Sequence, residues 1–312
     1  MNIGKAGEFE LIRGIRRKTR TDRSVVVGIG DDTAVLKVDA SKDTLFTTDM
    51  LIEDKHFRLK EATAFEIGRK AMAVNISDIA AMGGVPTHAV ISVGLPAGLP
   101  QKFVSELYRG IGAAARLFRV NVVGGDTNSS DKLVISVALL GECPKSRAVL
   151  RSGAKPGDVL FVTGELGGSY ASKKHLRFTP RVKEAAYLTQ NFDVHAMMDL
   201  SDGLAGDVRR IAEESGVGAL ISREALPVSS GSDADAALGE GEDFELLFAL
   251  PPHEAARLTL ASTPFGKSFF TPVGRITAKK EGVCLAGPGG IKIPLRARGF
   301  DHFAGKGGSR EA

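Results

Sequence analysis

Short β-branched runs alternate with Gly- and Asp-rich turns at the start of the chain, and helical periods take over further on. Residues 24–29, 33–38 and 44–48 carry Val, Ile and Thr at strand density, which predicts antiparallel strands or a meander. From residue 64 apolar side chains recur one helical turn apart at Ile67, Ala71 and Val74. This predicts a helix over 64–82 that stops at Gly83-Gly84 as its C-terminal cap. A strand over 87–94, a helix over 101–118 opening after Pro100, and strands over 120–123 and 133–140 follow. The segment 146–158, with Gly153, Pro156 and Gly157, reads as a linker between a domain over 1–145 and another over 146–312. Beyond it come a strand over 159–162, helices over 165–176, 181–189 and 203–215, and strands over 219–222 and 244–250. A helix over 252–262 and a late set of strands between 268 and 294 complete the pattern. The fold class predicted is α+β, two mixed halves with helices on one face of each sheet.

Composition narrows the function. At 312 residues, 43% hydrophobic and 25% charged, the chain is long enough for two cores and too apolar to be disordered. Its 37 glycines exceed the roughly 22 that an average chain of this length holds, which points to tight turns or to backbone that approaches a ligand. The uncharged stretch 79–101 is broken by Pro86, Pro96 and Pro100, so it predicts no membrane span. Trp is absent and Tyr occurs three times, and the basic run between Arg13 and Arg23 reads as a solvated face, so no nucleic-acid partner is expected. Cys143 and Cys284 cannot build a disulfide framework, and the N-terminus has no apolar signal core. Together they predict a cytoplasmic protein.

The chemistry lies in aspartates placed where elements end: Gly28-Ile-Gly-Asp-Asp32, Thr47-Thr-Asp49, Asn75-Ile-Ser-Asp78, Gly124-Gly-Asp-Thr127 and Asp199-Leu-Ser-Asp-Gly203. Each alone is ordinary turn and cap chemistry. Asp78 is not, because it continues the apolar row Ile67, Ala71, Val74, and a carboxylate there needs a partner or a cation. Asp31, Asp32, Asp49, Asp78, Asp126, Asp199 and Asp202, with Thr47, Thr48, Thr127 and Ser201, form an all-oxygen donor set of the kind Mg²⁺ or Ca²⁺ takes. The pattern therefore predicts a Mg-nucleotide or Mg-phosphate site. Gly266-Lys-Ser268 lacks the first Gly of a Walker A, and Gly28-Ile-Gly30 does not continue as a dinucleotide fingerprint, so P-loop and Rossmann enzymes are disfavoured.

These motifs occur in the order Gly7-Glu-Phe-Glu-Leu-Ile12, Gly28-Ile-Gly-Asp-Asp-Thr-Ala34, Thr48-Asp49, Ala73-Val-Asn-Ile-Ser-Asp-Ile-Ala-Ala-Met-Gly83, Gly124-Gly-Asp-Thr127, Arg151-Ser-Gly-Ala-Lys-Pro-Gly-Asp158, Asp199-Leu-Ser-Asp-Gly-Leu204, Gly241-Glu-Asp-Phe-Glu-Leu246 and Gly299-Phe-Asp-His-Phe303. The set resembles the thiamine-monophosphate kinase family, in the superfamily of aminoimidazole ribonucleotide synthetase, selenophosphate synthetase and the hydrogenase maturation dehydratase. The resemblance implies a two-domain synthetase-like fold: an N-terminal α/β domain that forms a barrel across a homodimer, and a C-terminal α+β sandwich. It implies phosphorylation of thiamine monophosphate, with ATP as co-substrate and several Mg²⁺ ions. Carried over by position, Asp32, Thr47, Thr48, Asp49, Asp78, Asp126, Asp199 and Asp202 are expected as metal ligands. Gly125, Asp126, Arg151 and Ser201 are expected at ATP, and His56, Glu242 and Phe300 at the substrate, with Asp126 and Arg151 as the catalytic pair.

The acceptor in that reaction is a phosphate monoester with a second pKa near 6, already largely ionised at neutral pH, so no general base is required and His56 is not assigned as one. Two positions depart from the family pattern. Ala297 stands where an aromatic residue commonly stacks on the substrate, leaving Phe300 as the candidate, and Glu240 adds a charge where a small residue is usual. The alternatives are another superfamily member such as aminoimidazole ribonucleotide synthetase, or a non-catalytic Mg-nucleotide-binding protein. The lack of Cys before residue 143 and the ending Gly-Gly-Ser-Arg-Glu-Ala argue against the selenium and hydrogenase-maturation members.

Overall fold

The computed structural model describes residues 14–27, 35–266, 268–287 and 291–295, arranged in two compact units. The first takes the chain up to Ile79, then Gly84–Ala148 and Leu176–Pro180, and the second takes Ala80–Gly83, Val149–His175 and the chain from Arg181 onward.

In the first unit β1 (Val25–Val27) and β2 (Val35–Leu36) form a short antiparallel ladder. The main sheet holds β3 (Lys42–Ile52), β4 (Val85–Leu95), β5 (Asn121–Ser129) and β6 (Val134–Pro144) in the order β3-β6-β4-β5. Two helices, α1 (Ala64–Ala81) and α2 (Gln101–Phe118), come before and after β4, and α2 makes the crossover to the parallel strand β5. Along β6 burial alternates with period two: Ile135, Val137, Leu139, Gly141 and Cys143 are buried and the residues that alternate with them are not. β3 is longer than the predicted 44–48 because it pairs with β6 without a break from Lys42–Pro144 to Ile52–Val134. Pairing outweighs the low strand propensity of Asp43 and Asp49.

The two helices meet at glycine. A Cβ on Gly68 would lie 2.0 Å from the Leu107 carbonyl oxygen, and one on Gly110 would lie 2.0 Å from that of Phe65, so the backbones touch where any side chain would hold them apart. Gly83 has φ +72° and its N–H donates to the Ala80 carbonyl, which is the expected cap.

The second unit is a seven-stranded sheet built from β7 (Val159–Thr163), β8 (Ala196–Asp199), β9 (Gly218–Ser222), β10 (Leu246–Leu250), β11 (Phe270–Thr277), β12 (Val283–Ala286) and β13 (Lys292–Pro294). The order is β13-β12-β9-β11-β7-β10-β8. Its helices are α3 (Lys174–Arg177), α4 (Val182–Asn191), α5 (Leu204–Ser215), α6 (Ala234–Gly239) and α7 (Pro252–Leu260). They cover both faces of the sheet, not one as the sequence suggested. Leu247 and Ala249 of β10 pack with Val208 and Ile211 of α5, while Leu246, Phe248 and Leu250 pack with Leu188 of α4 and Leu258 of α7. The unbroken apolar run of β10 is what a strand covered on both sides requires.

The helix predicted over 165–176 is mostly a loop. Gly164, Gly167 and Gly168 take positive φ (57°, 80° and 71°), and helix forms only at Lys174–Arg177. No helix among the described residues is long and apolar enough to cross a membrane, and both cysteines are free and buried.

Candidate active site

In the first unit one face of α1 carries polar side chains that hold β3 and the turn after it. β3 is an edge strand, so some of its backbone donors need partners from outside the ladder. Asn75, fully buried, supplies one: its Oδ1 accepts the Asp49 N–H at 2.9 Å while its Nδ2 donates to the Ala71 carbonyl at 3.0 Å. One turn on, Asp78 Oδ2 accepts the Thr47 hydroxyl at 2.6 Å. Lys70, also fully buried, donates to the His56 carbonyl at 2.8 Å. The pairing of Asp78 explains how a carboxylate ends the buried row.

β5 brings Gly125 and Asp126. A Cβ on Gly125 would lie 2.0 Å from the Ile91 carbonyl oxygen, so only glycine allows β5 this close to β4. Asp126 is exposed. Register runs Asp126–Ser92–Ser136–Met50 across the sheet, and the adjacent row is Gly125–Ile91–Val137–Asp49. Alternation therefore places Thr47 and Asp49 on the helix-covered face, with Asp78 reaching Thr47 from α1, and Thr48 and Asp126 on the other.

In the second unit three loops interlock. Glu242 N–H donates to the Ser201 carbonyl at 2.7 Å, Phe244 N–H to Leu200 at 2.8 Å, and the Ser169 hydroxyl to the Glu242 carbonyl at 2.6 Å. Glu242 is held at φ +64°, in the left-handed region that few non-glycine residues adopt. Asp199, at the end of β8, is buried. Asp202 pairs with Arg210, which also pairs with the fully buried Asp207, and the Asp202 N–H donates to Asp207. Burial pushes Asp207 up to about 7 despite Arg210. Arg151 extends an exposed side chain, while its carbonyl accepts the Ser215 hydroxyl at 2.9 Å. Asp32, Ala297 and Phe300 lie outside the described residues.

Beneath these loops is a cluster that the sequence reading did not single out. Glu245 is 1% exposed and accepts from Arg181 Nε and Nη2 at 2.7 and 2.6 Å, from the Thr163 hydroxyl at 2.7 Å and from Lys174 at 2.9 Å. Burial alone would raise its pKa, but Arg181 and Lys174 outweigh burial and hold it below the ordinary glutamate value. The Arg181 guanidinium also lies over the Phe269 ring. Asp243, accepting the Gly167 N–H and facing Lys174, is pushed by burial up to about 6. Glu240 is explained as well: it accepts the backbone N–H groups of Gly168 and Tyr170 and so secures the glycine loop. Among the described residues, no three His, Cys, Asp or Glu side chains gather at metal-ligand spacing. The donors present at Thr47, Asp49 and Asp78 are oxygen only, a chemistry that fits Mg²⁺.

Residues 30–143 match the AIR synthase related protein N-terminal domain and residues 155–286 match the C-terminal domain, and the chain belongs to this family. Within it the chain falls with the thiamine-monophosphate kinases. It is 40% identical to the thiamine-monophosphate kinase of Rhodopirellula baltica over 87% of this chain and 90% of that protein, and 35% identical to that of Bacillus subtilis over 95% and 99%. Among solved structures, AaThiL complexed with AMPPCP and TMP matches at 34% identity, covering 97% of this chain and 99% of that one with a TM-score of 0.75. Escherichia coli HypE shares the fold at 25% identity, with a TM-score of 0.77 over 93% and 97% of the two chains.

Proposed function

We propose that this chain transfers the γ-phosphoryl group of ATP to thiamine monophosphate, giving thiamine diphosphate and ADP. The observation that carries this reading is the match along nearly the whole chain to a structure holding an ATP analogue and TMP together. The aspartate loops and glycine turns described above support it.

The residues divide the work between positioning and charge. Gly125 lets the β5 backbone lie close to its neighbour and presents Asp126 at the surface, toward the nucleotide phosphates. Arg151 supplies an exposed cation for the transferred group, and Ser201, whose carbonyl holds the Glu242 N–H, is the second nucleotide contact of its unit. Glu242, fixed in its strained conformation, and His56, together with Phe300, take the acceptor. Asp32, Thr47, Thr48, Asp49, Asp78, Asp126, Asp199 and Asp202 are the residues that would hold Mg²⁺, which neutralises phosphate charge when bound. The acceptor phosphate ionises in water near pH 6, so no proton has to be removed during transfer. The test is ADP release: thiamine monophosphate should stimulate it and free thiamine should not, and equal stimulation by both would sink the reading.

The enzyme works in this reading as a cytoplasmic homodimer. The open face of the four-stranded sheet supports dimerisation: Phe46 (72% exposed), Met50 (53%) and Val90 (39%) all point to the side that no helix among the described residues of the unit covers. Phe46→Asp with Met50→Glu is expected to give a folded monomer in sedimentation at micromolar concentration. A double variant that still sediments as a dimer would place the interface elsewhere.

A further inference from the structure

Lys70 has no part in the phosphoryl-transfer account, yet its exposure is 0%. Lysine is among the side chains least often fully buried. It lies on α1 three residues after Ile67 and four before Val74, within the stripe that faces the core.

Its Nζ donates to the His56 carbonyl at 2.8 Å. That carbonyl belongs to a tight turn in which Lys55 and His56 N–H both donate to the Ile52 carbonyl, at 3.1 and 3.0 Å, and Asp54 N–H donates to the Phe57 carbonyl at 2.8 Å. Asp54 takes φ +65° to make the turn, and Phe57 anchors its far end at 4% exposure. The imidazole of His56 is tied to the same turn, since its Nδ1 accepts the Ile52 N–H at 3.0 Å. A neutral imidazole that accepts at Nδ1 carries its proton on Nε2. The turn thus sets His56 as an N–H donor at Nε2, suited to a phosphate or carbonyl oxygen of a ligand and unsuited to proton abstraction.

We propose that Lys70 is a positioning residue for thiamine monophosphate: by holding the His56 carbonyl from within α1, it keeps the turn in the geometry that lets Ile52 fix His56 as an Nε2–H donor to the substrate. The proposal rests on the reading of His56 as a substrate contact. It also gives the polar side chains on the buried face of α1 one task. Lys70, Asn75 and Asp78 set His56, Asp49 and Thr47 from a single rigid element.

The test compares Lys70→Met, which keeps the chain length and removes the donor, with Lys70→Gln, which keeps a donor on a shorter stem. The Met protein is expected to raise KM for thiamine monophosphate about tenfold, the size of effect that follows when a buried carbonyl loses its donor. KM for ATP and kcat should stay within about twofold, a split that general loosening of the fold would not produce. The Gln protein should fall between. In the ring ¹⁵N spectrum of His56 the Nε2–H tautomer should dominate in the wild type and lose population in both variants. In a His56→Ala background Lys70→Met should raise KM no further. An unchanged KM for thiamine monophosphate in a folded variant, a parallel rise in both KM values, or an unchanged tautomer would overturn the proposal. If the Met protein fails to melt cooperatively, the Gln protein decides by the same two readouts. If the wild type turns over no thiamine monophosphate the functional reading falls separately, and the tautomer populations still decide the role of Lys70.

Discussion

Asp126→Asn is expected to lower kcat for thiamine diphosphate formation by about 10³-fold, the upper range for removing one preorganised electrostatic group from a transfer site. The melting temperature should hardly move. Asp126 is exposed on β5, and exposed substitutions away from caps and cores usually change stability by less than about 0.5 kcal/mol. Its neighbour Gly125 makes the close backbone approach to Ile91, and that approach is untouched by the change. Asn keeps the shape and one oxygen of Asp and loses only the charge, so the variant isolates the charge. A folded Asp126→Asn protein with wild-type turnover would remove Asp126 from the nucleotide site.

Glu245→Ala should do the reverse, acting first on stability. Glu245 is buried with Arg181, Lys174 and Thr163 around it, and its loss takes from Arg181 its two-point carboxylate partner and leaves Lys174 only Asp243 and the Glu165 carbonyl. Breaking a buried pair from one side costs about 3–5 kcal/mol. For a domain of this size that lowers the melting temperature by about 10 °C. The sign with pH follows from the lowered pKa of Glu245. Its stabilisation is present above the unfolded carboxylate range and is lost as pH falls through the folded value, so the gap between wild type and variant should narrow in acid. Thermal melts at pH 7 and at pH 4 check both statements. A variant that melts with the wild type at pH 7 would show that the cluster contributes no net stability. Because the cluster lies under the strained Glu242, loss of thiamine monophosphate affinity should accompany the loss of stability.

Where period and cap agreed, the sequence was a sufficient guide. α2 begins and ends at the predicted residues, and α1 ends within one residue of the prediction at a glycine whose φ is positive as expected. The stripe Ile67, Ala71, Val74 is buried, and Asp78 does need its partner. Failures came where tertiary pairing overrode local signal. The four residues of β8, Ala196-Met-Met-Asp199, have no alternation because both sheet faces are covered there. The loop after β7 has helical composition, but Gly164, Gly167 and Gly168 bend it to meet Asp243 and Glu240. Lys70 could have been found, since a lysine between Ile67 and Val74 interrupts the core stripe just as Asp78 does. Arg181 and Glu245 lie 64 positions apart, and no spacing rule connects them before the sheet forms.

Formation of thiamine diphosphate from thiamine monophosphate can be observed directly. The most direct measurement incubates the purified protein with ATP, Mg²⁺ and thiamine monophosphate, runs free thiamine in parallel, and separates the products by chromatography. Stoichiometric thiamine diphosphate and ADP are expected from the monophosphate, with no phosphorylated product from free thiamine. Mg-ATP binding without any thiamine diphosphate would contradict this expectation and return the chain to its family as an enzyme for another acceptor or as a nucleotide-binding protein.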